Sequence, residues 1–510
     1  MMKEKKRDVR IRLILAGMGL FFIACGVTAA NVLILPYSRA YFGYITPLML
    51  LSFAASGIGY LFLGKKLTIA GEDALERAMR IAVPGYLLAL FVIHLLMGYM
   101  MEYIPSGDNF MLYNAAQLLS TDGNFDAYPD FYLYLSRFSN QWGFMLMLSA
   151  IYKLLFALGF TDMFFPTAFV QAVLYAGGMA AFFAIARRLR GVRGVAAALA
   201  AAVTCFPLYL AAAVLYTDTF SLPFVMVALL FALRALDAPS IQKTALNALA
   251  CAAAAAVGGQ IKMTAAIVLI AATIVFLLRL RPLRALCACA VIWCVMGLSV
   301  LGVQKAMVGP VLDPEMVAQH NTPTIHWIMM SIPTGHNPYG NDIEDYRETW
   351  TMMEQGASRE EVMDSIYTRM IDKIYFLRLP SRLIPAFFRK NIAAFGDGTF
   401  GMTEILDDSP QRENIISSFV LQERPYYPVY LSVCTGIFCA HLVFAACACL
   451  RDIRKKDLRA AMLYIAMFGF MLFMLLWEAR SRYIFNFIPV LLLLSTGFIA
   501  RGAQEGETNA

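Results

Sequence analysis

Charge is scarce in this chain. Of its 510 residues only 15% are charged while 60% are hydrophobic, and the mean hydropathy is +0.63. Such values lie outside the range of soluble globular domains, which leaves an integral membrane protein. No pair of its ten cysteines (Cys25, Cys205, Cys251, Cys287, Cys289, Cys294, Cys434, Cys439, Cys447 and Cys449) stands in an aqueous loop. Neither a disulfide framework nor a zinc site is therefore suggested, and the cysteines read as small hydrophobes. A solenoid-type repeat is absent, as is the inverted pair of broken helices that many transporters carry.

What the chain has instead is long apolar runs. A bilayer core takes about 20 apolar residues per helix, and such runs fall near 11–35, 45–64, 79–101, 165–186, 195–213, 217–236, 285–303, 429–450, 460–477 and 484–500. Shorter candidates lie near 143–160, 244–259 and 263–278. The expectation is an all-α bundle of roughly 10 to 13 transmembrane helices by that length rule. The first run is too long, and lacks the small-residue cleavage site, to be a removable signal peptide.

The formal charge of +7 sets orientation and is no nucleic-acid signal, because the basic residues gather in short loops. Lys3, Lys5, Lys6, Arg7, Arg10 and Arg12, then Lys65 and Lys66, the "RRLRGVR" cluster at 187–193, Arg279, Arg281 and Arg284, and Arg451, Arg454, Lys455 and Lys456 mark the cytoplasmic side. The other face then carries residues 36–44, the loop 102–142, "LYTDTF", "GGQIK", a long segment from about 307 to 428, and "WEARSRY". That long segment holds ten Lys/Arg against seventeen Asp/Glu. Parity between Asp108 outside and "RRLRGVR" inside requires an odd number of crossings. The run 143–160, with Lys153 at its middle, is therefore expected to be re-entrant or interfacial, the alternative putting the arginine cluster outside. In the acidic segment Ser358 and Glu361 form a capping box ahead of an amphipathic helix. "LPSRLIPAFFRK" suits a helix at headgroup level. The segments expected are a membrane module over 1–306 with a large external loop at 102–142, an external helical segment over 307–428, and C-terminal helices over 429–510.

Polar groups gather at the external helix ends. Asp108 in "SGDNF" can cap the following helix, as can Ser106, or serve as a general base at the water–lipid boundary. Arg137, Asn140, Gln141 and Trp142 combine fork-like hydrogen bonders with an aromatic face, as a sugar requires, or form an interfacial belt. Asp218 in "YTDTFSLPF" could share a divalent ion with Asp108, though two carboxylates make an incomplete set; no metal site is expected. Lys262 in "GGQIK" can meet a phosphate or merely snorkel. In "WEARSRY", Glu478 and Arg482 would form an i,i+4 helical pair and leave Arg480 free for a ligand phosphate. His326 and Trp327 stand in a docking-helix pattern, where His326 alone is no metal site.

Together, Asp108 in the first large external loop, "SRFSNQWG", "YTDTFSLPF", "IKMTAAIVLIA", "TIHWIMM" and "EARSRYIFNFIPVLLLL" resemble the GT-C superfamily of polytopic glycosyltransferases, nearest the protein O-mannosyltransferase and aminoarabinose-transferase branch. The likeness runs from about 100 to 490. It implies a GT-C-type bundle, a polyprenyl-phosphate-linked sugar donor, a glycan, lipid or protein acceptor, and inverting transfer on the extracellular or periplasmic face of the cell membrane. Asp108 matches the first-loop aspartate proposed as base, and Lys262, Arg480 and Arg482 match positions suited to the lipid phosphate. Arg137, Asn140, Gln141, Asp218, His326 and Trp327 are the candidates for sugar or acceptor binding. Better-known members often carry a second acid beside the first-loop aspartate; here Asn109 follows. A lipid-linked glycan flippase or transporter is the alternative from another class, although it calls for charges at the membrane midplane. A surface-glycan polymerase or ligase would share the lipid-phosphate site.

Overall fold

A computed structural model describes residues 2–35, 41–101, 105–125, 128–340, 343–404, 406 and 414–500, with side chains from residue 8 onward. Residues 36–40 of the expected external turn 36–44, residues 102–104 and 126–127 of the first loop, residues 341–342, 405 and 407–413 of the acidic segment, and the side chains of Lys3, Lys5, Lys6 and Arg7 lie outside the described residues. The described chain is helical. In order come α1 (Met2–Ile34), α2 (Thr46–Ile69), α3 (Glu72–Met100), α4 (Gly107–Thr121), α5 (Pro129–Arg137), α6 (Trp142–Ala157), α7 (Phe164–Thr204), α8 (Thr217–Leu236), α9 (Ile241–Ile261), α10 (Ile267–Arg279) and α11 (Pro282–Met307). The acidic segment holds α12 (Pro314–His320), α13 (Thr324–Met330), α14 (Ile343–Glu354), α15 (Arg359–Phe376), α16 (Pro380–Phe395) and α17 (Ser417–Val420), before α18 (Tyr427–Lys455), α19 (Ala461–Leu476) and α20 (Ile488–Ile499) close the chain.

Among the described residues nine helices are long and apolar enough to cross a membrane, and α19 and the Met263–Arg279 helix are shorter apolar ones. The protein is a polytopic membrane bundle. The run at 165–186 and the first part of that at 195–213 form the two arms of α7, which are separated by non-helical backbone at Arg190 and Gly191, where Gly191 has φ 64°; the second arm ends at Thr204. A left-handed backbone of that kind suits only glycine well, and it turns the chain back at the "RRLRGVR" cluster. The 16-residue α6 is not among the nine spans. It packs along α4, with Tyr152 beside Tyr113, while Lys153 is exposed.

Side-chain pairing sorts the helix ends into two sets. At one end Arg190 pairs with Asp452 and Asp457, Arg193 with Glu72 and the Leu67 carbonyl, Arg187 with Glu76 and Arg188 with Asp237. Arg284 reaches the Ala238 carbonyl there, and Arg279 that of Leu458. The loops read as cytoplasmic thus meet in space. The 29 residues of α3, at about 1.5 Å each, put roughly 43 Å between that end and the other.

Close approach of backbones holds the bundle together, since lipid offers no hydrophobic drive between helices. A Cβ on Gly436 of α18 would meet the Met49 carbonyl oxygen of α2 at 2.4 Å, and one on Gly178 of α7 would meet Pro223 of α8 at 2.6 Å. The acidic segment caps the other end. Ser358 and Glu361 form the capping box of α15, which packs through Val362 and Ile366 on Met329 and Met353. The α16 helix reaches down into the bundle, where Asn391 donates to Thr28 and accepts from Asn31.

Candidate active site

At the end opposite the arginine cluster lies a cavity of about 360 Å³. Four stretches far apart in sequence build it: the first external loop, the tips of α8 and α9, the α12–α14 region, and the turn between α19 and α20. Asp108, Arg137, Asn140, Gln141, Lys262, Trp327, Arg480 and Arg482 all line it.

Asp108 is exposed, in the first turn of α4. The N-cap position belongs to Ser106, whose side chain makes no capping bond. The Asp108 carboxylate instead accepts from two phenols, Tyr134 at 2.9 Å and Tyr216 at 3.3 Å. Burial, and after it the Asp108 charge itself, pushes both phenols up, so they stay protonated and donate.

Asp218 does not line the cavity but lies directly behind it, 2% exposed. The N-cap of α8 is Tyr216, whose N–H is taken by the Thr219 hydroxyl at 3.3 Å. Asp218 is therefore left to pair with cations: Lys262 Nζ is 3.0 Å away and Arg482 Nε 3.8 Å. The Lys262 ammonium also sits 3.8 Å from the Tyr483 ring centroid, and Arg482 lies 5.5 Å from that of Tyr216. Burial holds Lys262 below its ordinary value, Asp218 opposing and Arg482 adding to the shift. Tyr216 thus stands between the two acids, its hydroxyl on Asp108 and its ring against Arg482. Asp108 and Asp218 serve different partners, and among the described residues no group of three or more His, Cys, Asp or Glu could hold a metal ion.

The "WEARSRY" turn corrects an expectation. Helix α19 stops at Leu476, and Trp477 and Arg480 have extended backbones. In extended chain the side chains two residues apart share a face, so Glu478 pairs with Arg480 at 3.1 Å and not with Arg482. Arg480 also reaches Glu404 at 2.9 Å and is not free; Arg482 is the residue turned toward Asp218 and Lys262. Burial alone would raise the Glu478 carboxyl, but Arg480, the Tyr483 phenol and Arg482 outweigh it and hold it below the usual range.

His326 does not line the cavity either. It is fully buried behind Trp327, 3.1 Å from the Thr349 hydroxyl. Burial, then Arg369 and Lys373, push it down to about 3, so it is a neutral packing residue. Arg137 lines the cavity but is engaged by Glu354 and by the Trp350 ring at 4.6 Å.

Sequence reading missed Tyr134, Tyr216, Tyr346, Glu478 as a partner of Arg480, and the stretch "GDGTFG" at 396–401. Asp397 there is buried and accepts from Thr399 N and Gly401 N, each at 2.7 Å, and from the Thr399 and Ser481 hydroxyls at 2.6 and 3.2 Å. Burial raises its carboxyl against those four bonds. A Cβ on Gly398 would stand 2.3 Å from Thr435 N. This loop fastens Ser481, and with it Arg480 and Arg482. Its Gly-Asp-Gly-Thr pattern was the available signal, being strong turn chemistry.

A many-helix membrane protein with an acid, a cation pair and an aromatic wall at one cavity is the class these observations define. The chain belongs to the family described as conserved hypothetical integral membrane protein, which matches residues 129–502. No curated protein matches it. Crystal structures of ArnT from Cupriavidus metallidurans, in the apo state and bound to undecaprenyl phosphate, are similar at 15% and 13% identity. Each match covers 82% of this chain and 78% of that one, with TM-scores of 0.35 and 0.33.

Proposed function

We propose that this protein transfers a sugar from a polyprenyl-phosphate-linked donor to an acceptor on the non-cytoplasmic face of the membrane, with Asp108 as general base. The observation that carries the reading is the pairing, within one cavity, of a carboxylate bound only by phenols among the described contacts with two half-buried cations, Lys262 and Arg482. The motifs resembling GT-C enzymes agree with it in order. The arginine-rich end is taken as cytoplasmic by the positive-inside rule, which puts the cavity on the other face.

In the reaction the acceptor oxygen or nitrogen loses its proton to Asp108 as it attacks the anomeric carbon. A new bond forms there, and the bond from that carbon to the lipid-phosphate oxygen breaks on the opposite side, inverting the centre. The electron pair leaves with the phosphate, which needs cations and no acid. Lys262 and Arg482 receive it, while Arg480 braces Glu478 and Glu404. Tyr134 and Tyr216 hold the Asp108 carboxylate in place, and Asn140 and Gln141 supply neutral hydrogen bonds to hydroxyls. Glycosidases flank the bond with two carboxyls; here the other carboxylates of the site are paired with cations.

The test is transfer from a radiolabelled polyprenyl-phosphate sugar in reconstituted membranes. Asp108→Asn should lose transfer by at least about 10²-fold, the lower bound for general-base catalysis, while remaining folded and inserted. Near-normal turnover removes Asp108 as base. Translocation of the labelled lipid without sugar transfer would instead favour the flippase reading.

A further inference from the structure

The cavity has two unlike walls. Lys262, Arg480 and Arg482 form one, and the other is aromatic: Phe138, Trp327 and Tyr346 all line it. The ring centroids of Phe138 and Tyr346 are 6.0 Å apart, those of Trp327 and Tyr346 5.9 Å, and those of Phe138 and Trp327 6.2 Å. Trp350 supports this wall from behind, 3.5 Å from Tyr346 and 5.3 Å from Phe138 by centroids. Its indole N–H donates to the Thr322 hydroxyl at 3.4 Å, and the Arg137 guanidinium lies on its face. The wall is thus locked by packing, as a binding platform must be.

It also borders the acid. Tyr346 and Asp108 line the same cavity, and burial first, then the Asp108 charge, pushes the Tyr346 phenol up, so it keeps its proton. A ring bound here would meet the carboxylate at one edge and the cations at another. Lipid tails fit that arrangement poorly, having neither a flat face nor a polar edge. A saturated sugar ring has both an apolar C–H face and a rim of hydroxyls.

We propose that Tyr346, Trp327 and Phe138 form the subsite for the transferred sugar, the ring lying by its C–H face on this wall while its phosphate faces Lys262 and Arg482. The proposal rests on the sugar-transfer reading above and names residues that select the sugar apart from its lipid.

The experiment is a calorimetric titration of the whole protein in lipid nanodiscs with three probes: a short polyprenyl phosphate, the same lipid carrying a hexose, and the same lipid carrying a pentose. Wild type should bind all three, with at least one sugar-bearing probe tighter than the bare phosphate. Tyr346→Leu should lose that sugar increment, about three- to tenfold for one aromatic face, with bare-phosphate affinity unchanged. Tyr346→Phe should keep it, which separates the platform from a folding defect. Lys262→Met should weaken all three probes alike. A Tyr346→Leu protein that keeps the increment, or weakens all probes equally while Tyr346→Phe does the same, overturns the subsite. A wild type that binds bare phosphate with no sugar increment also overturns it and leaves the phosphate site standing. Failure to bind any probe overturns the sugar-transfer reading itself.

Discussion

Replacing Asp218 by asparagine separates the electrostatics of the site from its chemistry, because Asp218 touches no part of the cavity. Its carboxylate lies 3.0 Å from Lys262 and 3.8 Å from Arg482, and it is almost wholly buried. At an effective dielectric of about 20, those separations correspond to gross attractions of about 5.5 and about 4.4 kcal/mol. Desolvation offsets most of that in the intact triad. Removing Asp218 leaves Lys262 and Arg482 without the carboxylate they pair with, a loss of up to the about 3–5 kcal/mol measured for fully buried pairs. Asp218→Asn, which preserves volume, should therefore lower the thermal midpoint of the detergent-solubilised protein by several degrees. The same variant should bind polyprenyl phosphate more tightly than wild type, since the ligand now supplies the missing charge. At one lipid concentration its midpoint should accordingly rise more than that of wild type, its own total mass-action stabilisation being about 2.7 kcal/mol at 100 times its dissociation constant. A variant as stable as wild type would refute the argument. So would one whose midpoint responds less than wild type to the lipid phosphate, because Lys262 and Arg482 would then not be the anion's partners.

Two further outcomes concern the frame around the site. Lys390 on α16 is buried, donates to the Ser331 carbonyl at 2.6 Å, and is pushed down from 10.5 to about 7 by burial, with Lys373 adding to and Glu478 opposing the shift. An unfolded chain binds more protons than the folded one between those values, so stability rises with pH through that window. Thermal midpoints taken between about pH 7.5 and about pH 9 should rise by the equivalent of roughly 2 kcal/mol in wild type and stay level in Lys390→Met; parallel slopes would contradict the assignment. At the crossing of α18 and α2, Gly436→Val should destabilise by about 1–3 kcal/mol or more through backbone overlap. Gly297→Val on α11, where an added Cβ meets nothing within 4 Å, should be close to neutral in the same melting assay.

Hydropathy is a property of neighbouring residues, so the membrane class, the apolar runs and the basic loops were all legible along the chain. Asp108, Lys262, Arg482, Asn140, Gln141 and Trp327 could be singled out because each is polar at the end of an apolar run. Their convergence on one cavity could not, since it depends on how helices more than a hundred residues apart pack at their ends. The pairings were the least legible part. A helical "WEARSRY" would leave Arg480 free; the stop at Leu476 and the extended backbone after it turn Arg482 onto Asp218 and give Arg480 to Glu478 and Glu404. Tyr134, Tyr216 and Tyr346 were invisible among 24 tyrosines, since interfacial tyrosine is the ordinary composition of membrane proteins. His326 and Trp327 share one docking-helix pattern, yet adjacent positions on a helix point about 100° apart, and of the two only Trp327 lines the cavity. The sequence by itself determined the solvent in which this chain folds and the ends at which its polar groups gather. Only the tertiary structure decided which cation meets which acid, because local composition places a charge along the membrane normal and helix packing chooses its partner within that plane.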